Sequence, residues 1–156
     1  MLWIILIAVI GMSIIAFLRG MNKDNEDLQG QTLSEKFSVM VDLINQEIFN
    51  GMGHVEEHGK RDFTLYAPGF PHTLYFLYGA GNLRVEWRAV LFGQKIVESR
   101  EFHNLRNVTD KEQEQMALKL AQQFALRASQ TQGDFFDNIT SLYTDNDYEE
   151  EDNTDK

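Results

Sequence analysis

The 156-residue chain has no cysteine, only two prolines, and 14 Lys and Arg against 24 Asp and Glu. Without cysteine there is no thiol nucleophile and no thiolate metal ligand, and the chain suits a reducing compartment without requiring one. A formal net charge of −10 argues against nucleic acid as a partner, because phosphate recognition needs basic patches. Catalytic signatures are equally scarce. Ser34, Ser38, Ser99, Ser129 and Ser141 lack the strand-to-helix setting of a nucleophile elbow. Gly79-Ala80-Gly81-Asn82 falls between two strand-like segments, so it reads as a hairpin turn rather than as a phosphate cradle ahead of a helix.

One string has metal-site spacing. His54-Val55-Glu56-Glu57-His58 fits the H-x-x-E-H pattern of inverted zinc proteases, a chemistry that needs both histidines on one helical face and a further ligand. Gly51, Gly53 and Gly59 hem the string in and disfavour a helix, so a solvated loop is expected there. No catalytic residue, metal ligand or cofactor is assigned on this reading, and the chain is not expected to be an enzyme.

Charge and proline are also absent from Met1–Leu18, MLWIILIAVIGMSIIAFL, in which eleven residues are Leu, Ile, Val or Phe. As a helix this run reaches about 27 Å at 1.5 Å per residue, within the range for crossing a hydrocarbon core of ~30 Å. Trp3 at one end suits a membrane interface; Arg19 and Lys23 at the other can reach the headgroups and favour a cytoplasmic location for the C-terminal remainder of the chain. No basic residue precedes the run and no small-residue cleavage pattern comes after it, so a removed secretory signal fits less well.

The rest of the chain is read in three parts. Residues 19–31 are polar, without an apolar period, and are expected as a linker. Residues 32–143 are expected as one soluble α+β domain. Residues 144–156 form an acidic tail expected to be disordered; Asp145–Lys156 alone holds seven acids and one lysine. Within the domain, Thr32-Leu33-Ser34-Glu35 makes a capping box ahead of Leu33, Phe37, Val41, Ile44 and Ile48, an amphipathic helix of about five turns that stops at Asn50-Gly51. Four strands come next: Phe63 to Ala67, Thr73 to Tyr78, Leu83 to Leu91, and Lys95 to Phe102. Short turns between them imply an antiparallel meander. A second capping box, Thr109 to Glu112, opens a helix expected to end at Gln132-Gly133, with a short helix over Asp134 to Tyr143. Helices beside an antiparallel sheet give a two-layer sandwich.

The least ordinary feature is aromatic. Leu74-Tyr75-Phe76-Leu77-Tyr78 is apolar on both strand faces, and Tyr66, Tyr75 and Phe92 fall opposite the core positions. Either a further element of the chain covers them or a partner does. The candidate contact residues are Tyr66 and Tyr75, with Tyr78 at the strand end and Arg84 and Arg88 at the rim. The expected function is therefore a membrane-anchored, non-enzymatic protein-interaction module or accessory subunit of a membrane-associated complex. A small-ligand or lipid-binding module at the membrane and a metal-dependent hydrolase using the HVEEH segment are the alternatives.

Overall fold

The structure, a computed structural model, describes residues 2–28 and 30–146; most of the acidic tail lies outside them. The elements are α1 (Leu2–Leu28), α2 (Leu33–Lys36), α3 (Ser38–Phe49), β1 (His54–Glu57), β2 (Asp62–Tyr66), β3 (His72–Gly79), β4 (Asn82–Leu91), β5 (Gln94–Phe102) and α4 (Asp110–Asn146). The fold is α+β, with one antiparallel sheet ordered β1-β2-β3-β4-β5. The expected four strands become five. The added strand is the HVEE segment, which pairs with β2 from His54↔Tyr66 to Glu57↔Phe63. It escaped the pattern because all four residues are exposed; backbone pairing at the sheet edge, not burial, makes it a strand.

Both capping boxes form. Thr32 and Glu35 satisfy each other's backbone N–H. Thr109 N donates to Glu112 Oε2 at 2.8 Å and Glu112 N to Thr109 Oγ1 at 3.4 Å, and hydrogen bonds from the Thr109 backbone and hydroxyl hold the Glu112 carboxyl below its ordinary pKa. The first amphipathic helix is split into α2 and α3 at Phe37, where φ is −104° and ψ is 29°. Gln113 of α4 spans the break: its Nε2 donates to the Lys36 carbonyl at 3.0 Å, and its Oε1 accepts from Met40 N at 3.3 Å. The stop at Asn50 is left-handed, with φ 53°, as an Asn-Gly terminus requires. The expected stop at Gln132-Gly133 is corrected, because α4 runs through it to Asn146. One glycine inside a helix costs about 1 kcal/mol relative to alanine, which neighbouring turns tolerate.

The helices lie on one side of the sheet. Leu33, Phe37, Met40 and Ile44 of α2, α3 and the break between them, with Met116, Leu120 and Phe124 of α4, pack on Phe63, Leu65, Leu74, Phe76, Val85 and Trp87. Phe63 stacks on Phe76 at 4.3 Å and Trp87 on Phe124 at 4.7 Å between ring centroids. Full burial of such side chains contributes about 1.5–3 kcal/mol each, which makes this layer the source of the domain's stability.

The segment expected as a linker is helical as far as Leu28 and is joined to the domain by carboxylates. Asp24 is only 2% exposed. Its Oδ2 accepts from Ala80 N at 2.7 Å, and its Oδ1 from Gly81 N at 3.0 Å and Arg106 Nη2 at 3.1 Å. One turn on, Asp27 accepts the Tyr78 hydroxyl and pairs with Lys36 Nζ at 2.6 Å, while Leu28 enters the core. Spacing of i, i+3 and i+4 puts all three on one helix face. Ala80 and Gly81 have φ of 54° and 76°, as a two-residue type I′ hairpin demands. That turn aims successive N–H groups at one anion. A left-handed alanine costs about 1–2 kcal/mol, which the Asp24 carboxylate offsets.

Among the described residues, no helix is long and apolar enough to cross a membrane; described side chains cover only part of the Met1–Leu18 run. Replacing Asp24 by alanine orphans the two turn amides and is expected to lower unfolding free energy by about 1–3 kcal/mol. Asp24→Asn, which keeps one acceptor, should cost less. Urea denaturation measures both, and unchanged midpoints would contradict the joint described here.

Candidate functional site

Antiparallel register builds the uncovered sheet face in three rows. The first runs His54, Tyr66, Thr73, Arg88, Val97 across β1 to β5; the second runs Glu56, Thr64, Tyr75, Glu86, Ser99; the third runs Asp62, Leu77, Arg84, Glu101 across β2 to β5. Directly opposed residues share a face, so Tyr66, Tyr75, Arg84 and Arg88 are gathered on one surface. Tyr66 is half-buried against the His54 ring at 6.3 Å. Tyr75 is exposed, and the Arg88 guanidinium lies over its ring at 4.4 Å.

Glu86 organises the two arginines. Its carboxylate accepts from Arg88 Nε at 2.7 Å and from Arg84 Nη2 at 3.4 Å. This contact raises the Arg88 pKa further, so the cation persists at any physiological pH. The arginine side chains are 55% and 54% exposed. Beside them Leu77, Val90 and Val97 are exposed apolar residues. His58, Asp62, Tyr75, Leu77, Arg84 and Arg88 border a shallow depression of about 250 Å³. This face thus sets exposed apolar side chains beside Tyr and Arg, residue types enriched at protein contacts.

Two aromatics expected on this face lie elsewhere. Tyr78 is 1% exposed and belongs to the opposite, helix-covered face. Strand parity sends it inward with Leu74 and Phe76, and its hydroxyl donates to Asp27. Burial, and next that hydrogen bond, push its phenol well above the ordinary value. Phe92 leaves the sheet at the β4–β5 turn with φ 52° and stacks on Phe135 of α4 at 5.2 Å. Leu77, Val97 and the Glu86 clamp were missed by motif reading, yet all three are set by period-two parity once β3, β4 and β5 are aligned.

The HVEEH segment does not converge. In a strand His54 and His58 stand about 13 Å apart, at ~3.3 Å per residue. Glu57 accepts the Ser34 hydroxyl, and His58 Nε2 lies 2.7 Å from Thr64 Oγ1. Among the described residues no group of three or more metal-ligating side chains comes together. Compared with known proteins, the chain matches no family model, no curated protein and no solved structure.

The two tyrosines of β3 should separate cleanly by experiment. Tyr75→Ala should leave the melting temperature near wild type, because its ring is at the surface. Tyr78→Phe should lower stability by about 1–2 kcal/mol by breaking a hydrogen bond to a charged group. Because folding raises the Tyr78 pKa, its contribution is whole below the unfolded value near 10 and falls as pH rises beyond it. Alkaline denaturation of Tyr78→Phe should therefore be less steep than wild type; identical curves would contradict the Asp27 contact.

Proposed function

We propose that this chain is a single-pass membrane protein whose α+β domain is a non-enzymatic docking module for a protein partner, serving as an accessory subunit of a membrane-associated complex. The observation that carries this reading is a pair of uncovered apolar surfaces joined by a stiff element. On α1, Trp3, Leu6, Ile7, Val9, Ile10, Met12, Ile14 and Ile15 are all more than half exposed, and at 3.6 residues per turn they fall on every side of the helix. Leaving eight such side chains in water costs on the order of 10 kcal/mol. No single groove on a partner covers all sides at once; a bilayer does. The exposed Arg19 and Lys23 come directly after the run and favour a cytoplasmic domain.

From Leu18 to the buried Asp24 the helix rises only about 9 Å, so the domain is held close to the headgroups in a fixed attitude. Tethering raises the local concentration of a docking surface near membrane assemblies. On the domain, Tyr75 and Leu77 supply the apolar contact, and the Glu86-steadied Arg84 and Arg88 supply donors for a partner's acceptors. Tyr and Arg are the residues in which interface energy concentrates.

Two measurements test the reading. Full-length chain expressed in cells should stay in the membrane pellet through alkaline carbonate washing; release into the supernatant would contradict the anchor. A photocrosslinking amino acid at Leu77, in native membranes, should yield a discrete protein adduct that Tyr66→Ala with Tyr75→Ala removes, whereas the same probe at Lys119 on α4 should not. Adducts insensitive to the tyrosine pair would place the contact elsewhere.

A further inference from the structure

We propose that the cleft between α3, α4 and the start of β3 binds a neutral, largely apolar molecule carrying a single hydroxyl group. The cleft holds about 420 Å³, inside the ~300–1,000 Å³ range of small-molecule sites. It lies on the helix side of the sheet, away from Tyr75, so it stands or falls independently of the docking face.

Its shape is set by the sequence of α4. Leu118, Ala121, Ala125 and Ala128 border the cleft at helical spacing, and three small side chains on one ridge leave a gap that larger ones would close. Ile48 of α3 forms the facing wall, with Phe124 and Trp87 beside it. Leu118 is 51% exposed, a large apolar side chain left at the mouth.

The polar end is what specifies the ligand. Trp87 is 1% exposed, yet its Nε1 has no hydrogen-bond partner, and neither has Nδ1 of His72. The two rings are neighbours, 5.8 Å between centroids, as expected from Leu74↔Trp87 and His72↔Ala89 pairing on one sheet face. Each buried polar atom left unsatisfied costs about 1–3 kcal/mol. The indole can only donate, while a neutral imidazole protonated on Nε2 accepts at Nδ1. A hydroxyl satisfies both, accepting from Trp87 and donating to His72. A carboxylate cannot donate, and it would meet Glu47 at a rim that has no lysine or arginine. A hydrocarbon would leave both nitrogens bare. Burial lowers the His72 pKa, which keeps the imidazole in its accepting form. Long-chain alcohols and fused-ring alcohols share this chemistry.

The test uses the full chain in native membranes and a diazirine-bearing dodecanol as photoprobe. Mass spectrometry should map the label to Leu118–Ala128. Dodecanol should displace it at roughly tenfold lower concentration than dodecane or dodecanoate, the difference of about one net hydrogen bond. Cholesterol, tested as a competitor beside dodecanol, tells a fused-ring from a linear occupant. Ala125→Leu fills the gap at an exposed helix position and should abolish labelling without unfolding the domain. His72→Phe should keep the label and erase the preference for alcohol over alkane. Label confined to α1, label unchanged in Ala125→Leu, or equal displacement by dodecane and dodecanol would each overturn the proposal.

Discussion

The buried carboxylate of Asp24 decides how the two halves of this chain relate. It sits where helix α1 meets the β3–β4 turn, receiving the amides of Ala80 and Gly81 and the Arg106 guanidinium. Asp27 adds Tyr78 and Lys36 one turn later. A buried carboxylate is tolerable only when its lone pairs are filled, and here the hairpin, the loop after β5 and the end of α2 all contribute donors. The end of α1 is therefore bonded to the domain and packed into its core through Leu28. The same helix that begins with an all-round apolar surface finishes inside the domain, and whatever holds the first half also orients the second.

That orientation matters because the sheet has two unlike faces. One is closed by α2, α3 and α4 over Phe63, Phe76 and Trp87. The other presents Tyr75 under Arg88, flanked by Leu77 and Val97. Antiparallel sheets commonly leave one face to water; on this one, among largely polar and charged neighbours, Tyr75, Leu77, Val90 and Val97 remain exposed. Glu86 bonds both arginines on this face, which would reduce the side-chain ordering that the proposed docking must impose.

Much of this was legible in the amino-acid order. The period-two alternation of Leu83, Val85, Trp87 and Ala89 gave β4 and its buried face; the capping boxes at Thr32 and Thr109 gave two helix starts; parity put Tyr66 and Tyr75 opposite the core. The failures share a cause, which is that apolar periodicity sees only apolar burial. β1 buries none of its four side chains and joins the sheet by backbone pairing with β2. The 19–31 segment buries Asp24 and Asp27, so its contact face looked like solvated polar chain. Tyr78 looked ambiguous at a strand end until Asp27 supplied a partner for its hydroxyl. Gly133 suggested a stop that the turns on either side of it override.

Through Asp24 and Asp27 the apolar helix is bonded to the domain, and the roles given to both surfaces rest on that union being rigid. The natural absence of cysteine allows spin labels to be placed without background, at Arg19→Cys on α1 and Ser99→Cys on the open sheet face. Pulsed dipolar spectroscopy of this pair in lipid nanodiscs should give one narrow distance distribution that broadens when both aspartates become alanine. A broad distribution in the otherwise unaltered chain would contradict the rigid union.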